Sequence, residues 1–166
     1  MKWVTRDHVH MDRVASPWLI RRHVDADAEF VFVPFGGDAV LPDDAIPFGI
    51  PGVELGAHDA AGSTFRKILR KYGLTSLALA RLADIIENGI HHATDLAEHG
   101  RSDVGALAHP EGVGLDAICF GMMYVAAADA DDIEKSLVLF DAQHAYCRIR
   151  LLEEDRPDLL AGSQPG

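Results

Sequence analysis

Cysteine is nearly absent from this sequence. Cys119 and Cys147 are the only two, and no Cys-x-x-Cys pair exists. A disulfide framework is thereby excluded, and reduced thiols in a cytoplasmic setting are expected. No apolar run approaches the roughly 18 residues that a membrane helix needs, and the stretch Met1–Asp7 lacks the apolar core of a signal peptide. Positive charge is also scarce. The 15 Lys+Arg stand against 26 Asp+Glu, a formal net charge of −11. Phosphate contacts need clustered cations, so no nucleic-acid partner is expected for this chain alone. No Gly-rich phosphate loop, Gly-x-Ser-x-Gly elbow or nucleophile triad can be assembled, and Gly112-x-Gly114 lacks the preceding strand of a dinucleotide site.

What is present fits one globular domain. The chain has 166 residues, of which 48% are hydrophobic, enough to bury a core. The expected domain spans residues 1–156, followed by a frayed tail, 157–166. The surplus is in histidine, with nine residues.

Local signals predict a helix-rich α+β domain with a small sheet of short strands. Trp3-Val4-Thr5 and the β-branched and aromatic run Glu29–Val33, stopped by Pro34, read as strands, with Val53-Glu54-Leu55 as a third. Ser16-Pro17 predicts a helix start, with Pro at the first helical position. Residues 34–52, holding four prolines, read as an ordered loop. Ser63 caps a helix that Gly73 stops. A further helix begins at Ser76 and is expected to end at Asn88-Gly89, with a polar stretch from His91 to Asp103 beyond it. Pro110-Glu111 opens an apolar helix in which Cys119 and Met122-Met123 read as core. Asp131-Asp132 head the last helix, which runs to about Glu154.

Two spacings carry candidate chemistry. Glu54 and His58 lie four apart, and His92 and Asp95 three apart. Either spacing sets two side chains on one helical face, and an even spacing does the same on a strand. Two imidazoles and two carboxylates form a mixed nitrogen/oxygen set suited to one divalent ion, with Fe or Mn favoured and Zn possible. His91 replaces His92 if the local turn is rotated. On spacing alone, Glu54 and His58 read first as a surface or hydrogen-bonded structural pair and only second as ligands, whereas His92 and Asp95 fit either role equally. Arg6, Arg13, Arg21 and Arg22 form a positive island in an acidic chain, and arginine's rigid fork suits a tetrahedral oxyanion or a carboxylate. On a helix Arg21 and Arg22 diverge, so at most one of them shares a pocket with Arg13. The bland alternative is an internal Asp12–Arg13 pair with the other arginines solvated. His144, three residues after Asp141, is a candidate for orienting a ligand. His8, His10, His23, His99 and His109 read as surface, and Cys147 beside Arg148 as the more reactive thiol.

Trp3-Val4-Thr5-Arg6, followed by Asp12-Arg13-Val14-Ala15-Ser16-Pro17-Trp18-Leu19-Ile20-Arg21-Arg22, resembles the C-terminal domain of the chromate resistance protein ChrB family. The likeness continues through Phe30–Pro34, Pro47–Leu55 with His58, the His92–Asp95 segment, Pro110-Glu111 and Phe140-Asp141-Ala142, and covers about residues 3–150. Glu54, His58, His92 and Asp95 stand where the family pattern has Glu, His, His and Asp. Departures are the longer segment from Leu96 to His109, His144 where an apolar residue is common, and Ser16 in place of a frequent Cys. The resemblance implies a role in chromate resistance, often regulation of a chromate-export operon. Longer members carry a separate N-terminal region, and operator binding housed there is not expected here. Two functions follow. The first is an accessory or sensor domain that holds one metal ion beside an arginine-lined oxyanion pocket. The second is a metal-dependent enzyme using the same ion as Lewis acid on a small anionic substrate, with Glu111 or Asp141 as base. Self-association is left open.

Overall fold

The computed structural model describes residues 1–36 and 40–155; the tail expected at 157–166 lies outside them. Three parallel strands form the sheet in the order β2-β1-β3, with β1 at Lys2–Arg6, β2 at Glu29–Val33 and β3 at Ile46–Pro47. Trp3, Val4 and Thr5 of β1 are fully buried, as befits the centre of a parallel sheet covered on both faces. The third strand is Ile46–Pro47 and not Val53–Leu55; Leu55 makes only an isolated bridge to Phe48. Chain order reverses at β1, because β2 follows on one side of it and β3 on the other. In open parallel sheets ligands seat beyond the carboxyl ends of the strands, at such a switch point.

Five helices complete the described chain: α1 Asp12–His23, α2 Thr64–Lys71, α3 Leu77–His99, α4 Glu111–Val125 and α5 Asp129–Asp155. α1 begins a turn before the Ser16-Pro17 signal and carries Pro17 inside it. Asp12, Val14, Ala15 and Ser16 are themselves buried, so tertiary contact extends the helix past its local start mark. Trp18 sits at the centre of the core, stacked on Phe65 with ring centroids 6.3 Å apart and tilted against Phe140.

α3 does not stop at Asn88-Gly89. It runs unbroken to His99 and ends at Gly100, whose φ of 66° is left-handed. Asn88 and Gly89 serve a different purpose. The Asn88 side chain accepts the His109 N–H at 3.1 Å, just before α4. Gly89 lies against Gly112 of α4, where a Cβ would fall 2.6 Å from the Gly112 carbonyl oxygen. α4 buries only Gly112, Leu115 and Cys119 fully. The expected core pair Met122-Met123 is only half-buried, and Ile118, Phe120 and Tyr124 are exposed. No helix among the described residues is long and apolar enough to cross a membrane.

Candidate functional site

The loop between β1 and α1 is built under strain. His8 and Met11 have φ of 55° and 44°, a region that non-glycine residues enter at a cost and keep only where the surroundings over-determine it. Arg13 supplies that constraint. Its Nη1 donates to the carbonyl oxygens of Arg6 and Asp7 at 3.1 and 3.0 Å, and Nη2 to that of His8 at 2.8 Å. The Val9 N–H donates to Asp129 Oδ1 at 2.7 Å, which ties the loop to α5.

This loop forms one wall of a cleft at the carboxyl ends of the strands. A cavity of about 380 Å³ is lined by Arg6, His10, Asp12, Arg13, Gly49, His58 and the inner face of α3. A second, of about 760 Å³, shares His10, Arg13, Ala93, Ala97 and Asp116 with it and opens between α3 and α4. Arg6 follows from β1, Phe35 from β2 and Gly49 from β3, the positions where a switch point gathers side chains. Both guanidiniums lie over the Phe35 ring, Arg6 at 4.4 Å and Arg13 at 5.2 Å, within cation–π range. Burial, and next the charge of Arg6, push the Arg13 guanidinium below its usual range. Arg6 Nε and His58 Nδ1 are buried with no hydrogen-bond partner among the described residues. His10 Nε2 lies 3.2 Å from Asp116 Oδ1, although the two atoms are not aligned as a hydrogen bond.

The sequence-predicted ligands are not gathered. Glu54 is exposed and salt-bridged to Lys71 at 2.5 Å. His58 faces the cleft with its ring 5.2 Å from that of His91. His92 opens into the apolar part of the cleft, and Asp95 into a separate depression with His99 and Arg101. Among the described residues no group of three or more His, Cys, Asp or Glu is placed to hold a metal ion. The His58–His91 pair alone falls short of the three or four protein ligands of a typical bound ion. Among the described residues the expected donors are therefore not assembled into one metal-binding group.

The arginine island divides as well. Arg6 and Arg13 line the cleft, but Arg21 pairs with Glu134 of α5. Arg22 grips Asp141 with Nε at 2.9 Å and Nη2 at 2.6 Å. Asp141 also accepts the Trp18 Nε1–H at 2.8 Å, which makes it an anchor for α1. Glu111 accepts from the Tyr146 hydroxyl at 2.8 Å. Neither carboxylate lines the cleft, so neither sits as a base there. Burial pushes the Cys119 thiol up to about 12 and the Cys147 thiol to about 11. Cys147 is fully buried, an environment that disfavours the thiolate despite the neighbouring Arg148. His10 and Asp116 were missed by spacing because they lie on different elements. The signal that finds His10 is its place in the turn between the first strand and its helix.

Residues 3–147 match the family model described as the ChrB C-terminal domain. The chain belongs to that family. Protein ChrB of Cupriavidus metallidurans is 33% identical over 121 residues, covering 72% of this chain and 32% of the relative. The chain thus spans about a third of that relative's length. No solved structure matches it. Within this ChrB domain the Asp12–Arg22 string is largely architectural: Asp12 holds α2, Arg13 the strained loop, and Trp18 and Arg22 bind Asp141.

One consequence concerns pH. The His23 and His144 rings pack at right angles with centroids 5.8 Å apart, and both lie against Trp18. Burial is the main cause that lowers both pKa values, joined by Arg22 for His23 and by His23 for His144. The unfolded chain therefore takes up these protons first, near the ordinary imidazole value of about 6.5. Stability is full above that value and falls as pH drops from it through the depressed folded values. Thermal unfolding followed from pH 8 to 5 should show this decline, and His144→Phe should flatten it. Parallel profiles for the two proteins would refute this origin.

Proposed function

We propose that this ChrB-type domain binds a small anion at the polar end of the cleft and acts as the ligand-sensing part of a chromate-resistance protein. The observation that carries this reading is the Arg6 guanidinium, its Nε buried and unpartnered beside His10, His58 and the charge of Arg13. Arg6 and Arg13 repel each other, and an anion between them relieves that repulsion. Asp12 is turned to the backbone of α2, and Asp116 sits 3.2 Å from His10 Nε2, so His10 offsets the charge of Asp116 in the cleft. Chromate and sulfate are tetrahedral dianions that an arginine fork and an imidazole can both address. Arg13 contributes charge while its Nη groups hold the loop, so Arg6 makes the direct contact.

A divalent ion at Glu54, His58, His92 and Asp95 is not part of this proposal, because no group of three or more such donors is gathered among the described residues. The metal-assisted reaction with Glu111 or Asp141 as base likewise finds no support in their positions. Calorimetry with sulfate and chromate on chelator-treated protein tests the reading. Arg6→Ala is expected to weaken binding by about 10- to 100-fold, the worth of one charge-assisted bond, without lowering the melting temperature. Unchanged affinity in that variant overturns the proposal. Binding that vanishes on chelation and returns with Fe, Mn or Zn restores the metal instead.

A further inference from the structure

We infer that the ligand of this cleft is an aromatic organic anion, with its charged group at Arg6 and His10 and its ring system in the groove between α3 and α4. The inference rests on the anion reading above and adds the ligand's body to its head. Size is the first reason. A tetrahedral oxyanion has the bulk of a few waters, each of about 30 Å³, and leaves most of a cleft of 380 and 760 Å³ unfilled. Sites for organic ligands run from roughly 300 to 1,000 Å³ and are mostly apolar with a few placed polar groups. The lining divides in that way. Charged groups and His10 gather at one end, with Phe35 beneath the guanidiniums, and Leu96, Val113, Phe120 and Met123 line the rest.

Exposure is the second reason. Phe35 of the loop after β2, Leu96 of α3 and Phe120 of α4 open on one groove and are 56%, 44% and 53% exposed. Large apolar side chains converging on one opening mark a binding surface more than scattered singles do. The two ends also join through aromatic geometry. The His10 ring meets Phe120 edge-to-face at 6.0 Å, and Phe35 lies beneath both guanidiniums. A flat ring entering between Phe35 and Phe120 would bring its anionic substituent to Arg6.

The test compares naphthalene-2-sulfonate with methanesulfonate, which share head group and charge and differ in the apolar body, with sulfate as reference. Calorimetry is expected to show naphthalene-2-sulfonate binding about tenfold or more tighter than methanesulfonate. Phe120→Ser with Leu96→Gln, both at exposed positions, should erase that advantage and leave sulfate binding intact, while Arg6→Ala weakens all three. Equal affinities for the two sulfonates, both dependent on Arg6, overturn this inference and leave the anion reading standing. No binding of any of the three removes both. A sulfonate advantage that survives the Phe120 and Leu96 changes places the ring elsewhere and overturns the groove assignment. So does a dimer in sedimentation that dissociates on Phe120→Ser and excludes the ligand, because a second copy then occupies the groove.

Discussion

Gly112→Ala is expected to destabilise the domain by about 2–4 kcal/mol, the upper range for overpacking a close contact. The Cβ added at Gly112 falls 2.3 Å from the Ile85 carbonyl oxygen and 2.6 Å from the Gly89 N. Both obstacles are backbone atoms within α3, so no side chain can rotate away, and the two helices must separate. Leu115, Cys119, Ile85 and Ile86 are buried around this point and lose contact together when that happens. At roughly 2–4 °C per kcal/mol for a chain of this size, the melting temperature drops by about 5–15 °C. Gly114→Ala is the control. It lies on the same helix with nothing within 4 Å of its Cβ, and alanine there should be neutral or stabilising by about 0.5–1 kcal/mol. Thermal unfolding by circular dichroism reads both. If the two variants melt alike, the glycine contact does not set the α3–α4 distance. That distance also sets the cleft, whose walls include Ala93 and Ala97 of α3 and Val113 and Asp116 of α4. Anion affinity should therefore fall in Gly112→Ala even where the protein remains folded.

The same pair of glycines shows where local reading of the chain runs out. Asn-Gly after an apolar periodic run is a strong stop signal, yet here Gly89 is the place where one helix admits another. Nothing local distinguishes a glycine that ends a helix from one that lets a distant backbone approach. Elements marked by their own residues were legible: the buried runs of β1 and β2, the Ser63 cap whose Oγ accepts the Arg66 N–H at 3.1 Å, and Pro110 before α4. Elements set by partners far along the chain were not. α1 starts early because Asp12 is needed by α2. Ile46–Pro47, and not Val53–Leu55, joins the sheet, although proline is poorly suited to a strand; it lies at an edge, where its missing N–H is tolerated.

The candidate site was half legible for the same reason. Composition singled out the arginines, and β1 does deliver Arg6 to the cleft. Spacing on a helix, however, says which side chains share a face and nothing of what that face meets. Arg21 and Arg22 meet α5 and its carboxylates. His92 and Asp95 share α3 and open into different depressions, and Glu54 is held by Lys71. Convergence is a property of the tertiary structure, and His10 with Asp116 is the pair that the fold brings together in the cleft.

Asp12→Ala should be the most damaging single polar change, at about 3–5 kcal/mol. An α-helix begins with orphan N–H groups, and in α2 each has a partner. Ser63 N–H donates to Glu87 at 2.9 Å, Thr64 N–H and Phe65 N–H to Asp12 at 2.7 and 3.0 Å, and Arg66 N–H to Ser63 Oγ. Removing the Asp12 carboxylate strands two buried donors, each costing about 1–3 kcal/mol when left unpaired. Burial pushes this carboxyl above the ordinary range, against the pull of the Phe65 and Thr64 N–H groups, so part of what the charge gains is lost to desolvation. Asp12→Asn keeps one acceptor oxygen without a charge and should therefore cost less than alanine, about 2 kcal/mol, while turning an amide NH₂ toward a donor it cannot accept from. Urea unfolding with the slope unchanged reads the order wild type, Asn, Ala in the midpoints. A loss below about 1 kcal/mol in the alanine variant would mean that another acceptor takes over the start of α2. Because Asp12 also lines the cleft beside His58, the asparagine variant carries a second readout. With one negative charge removed from the polar end, sulfate should bind it more tightly than it binds the wild type. A role confined to holding α2 predicts no such gain.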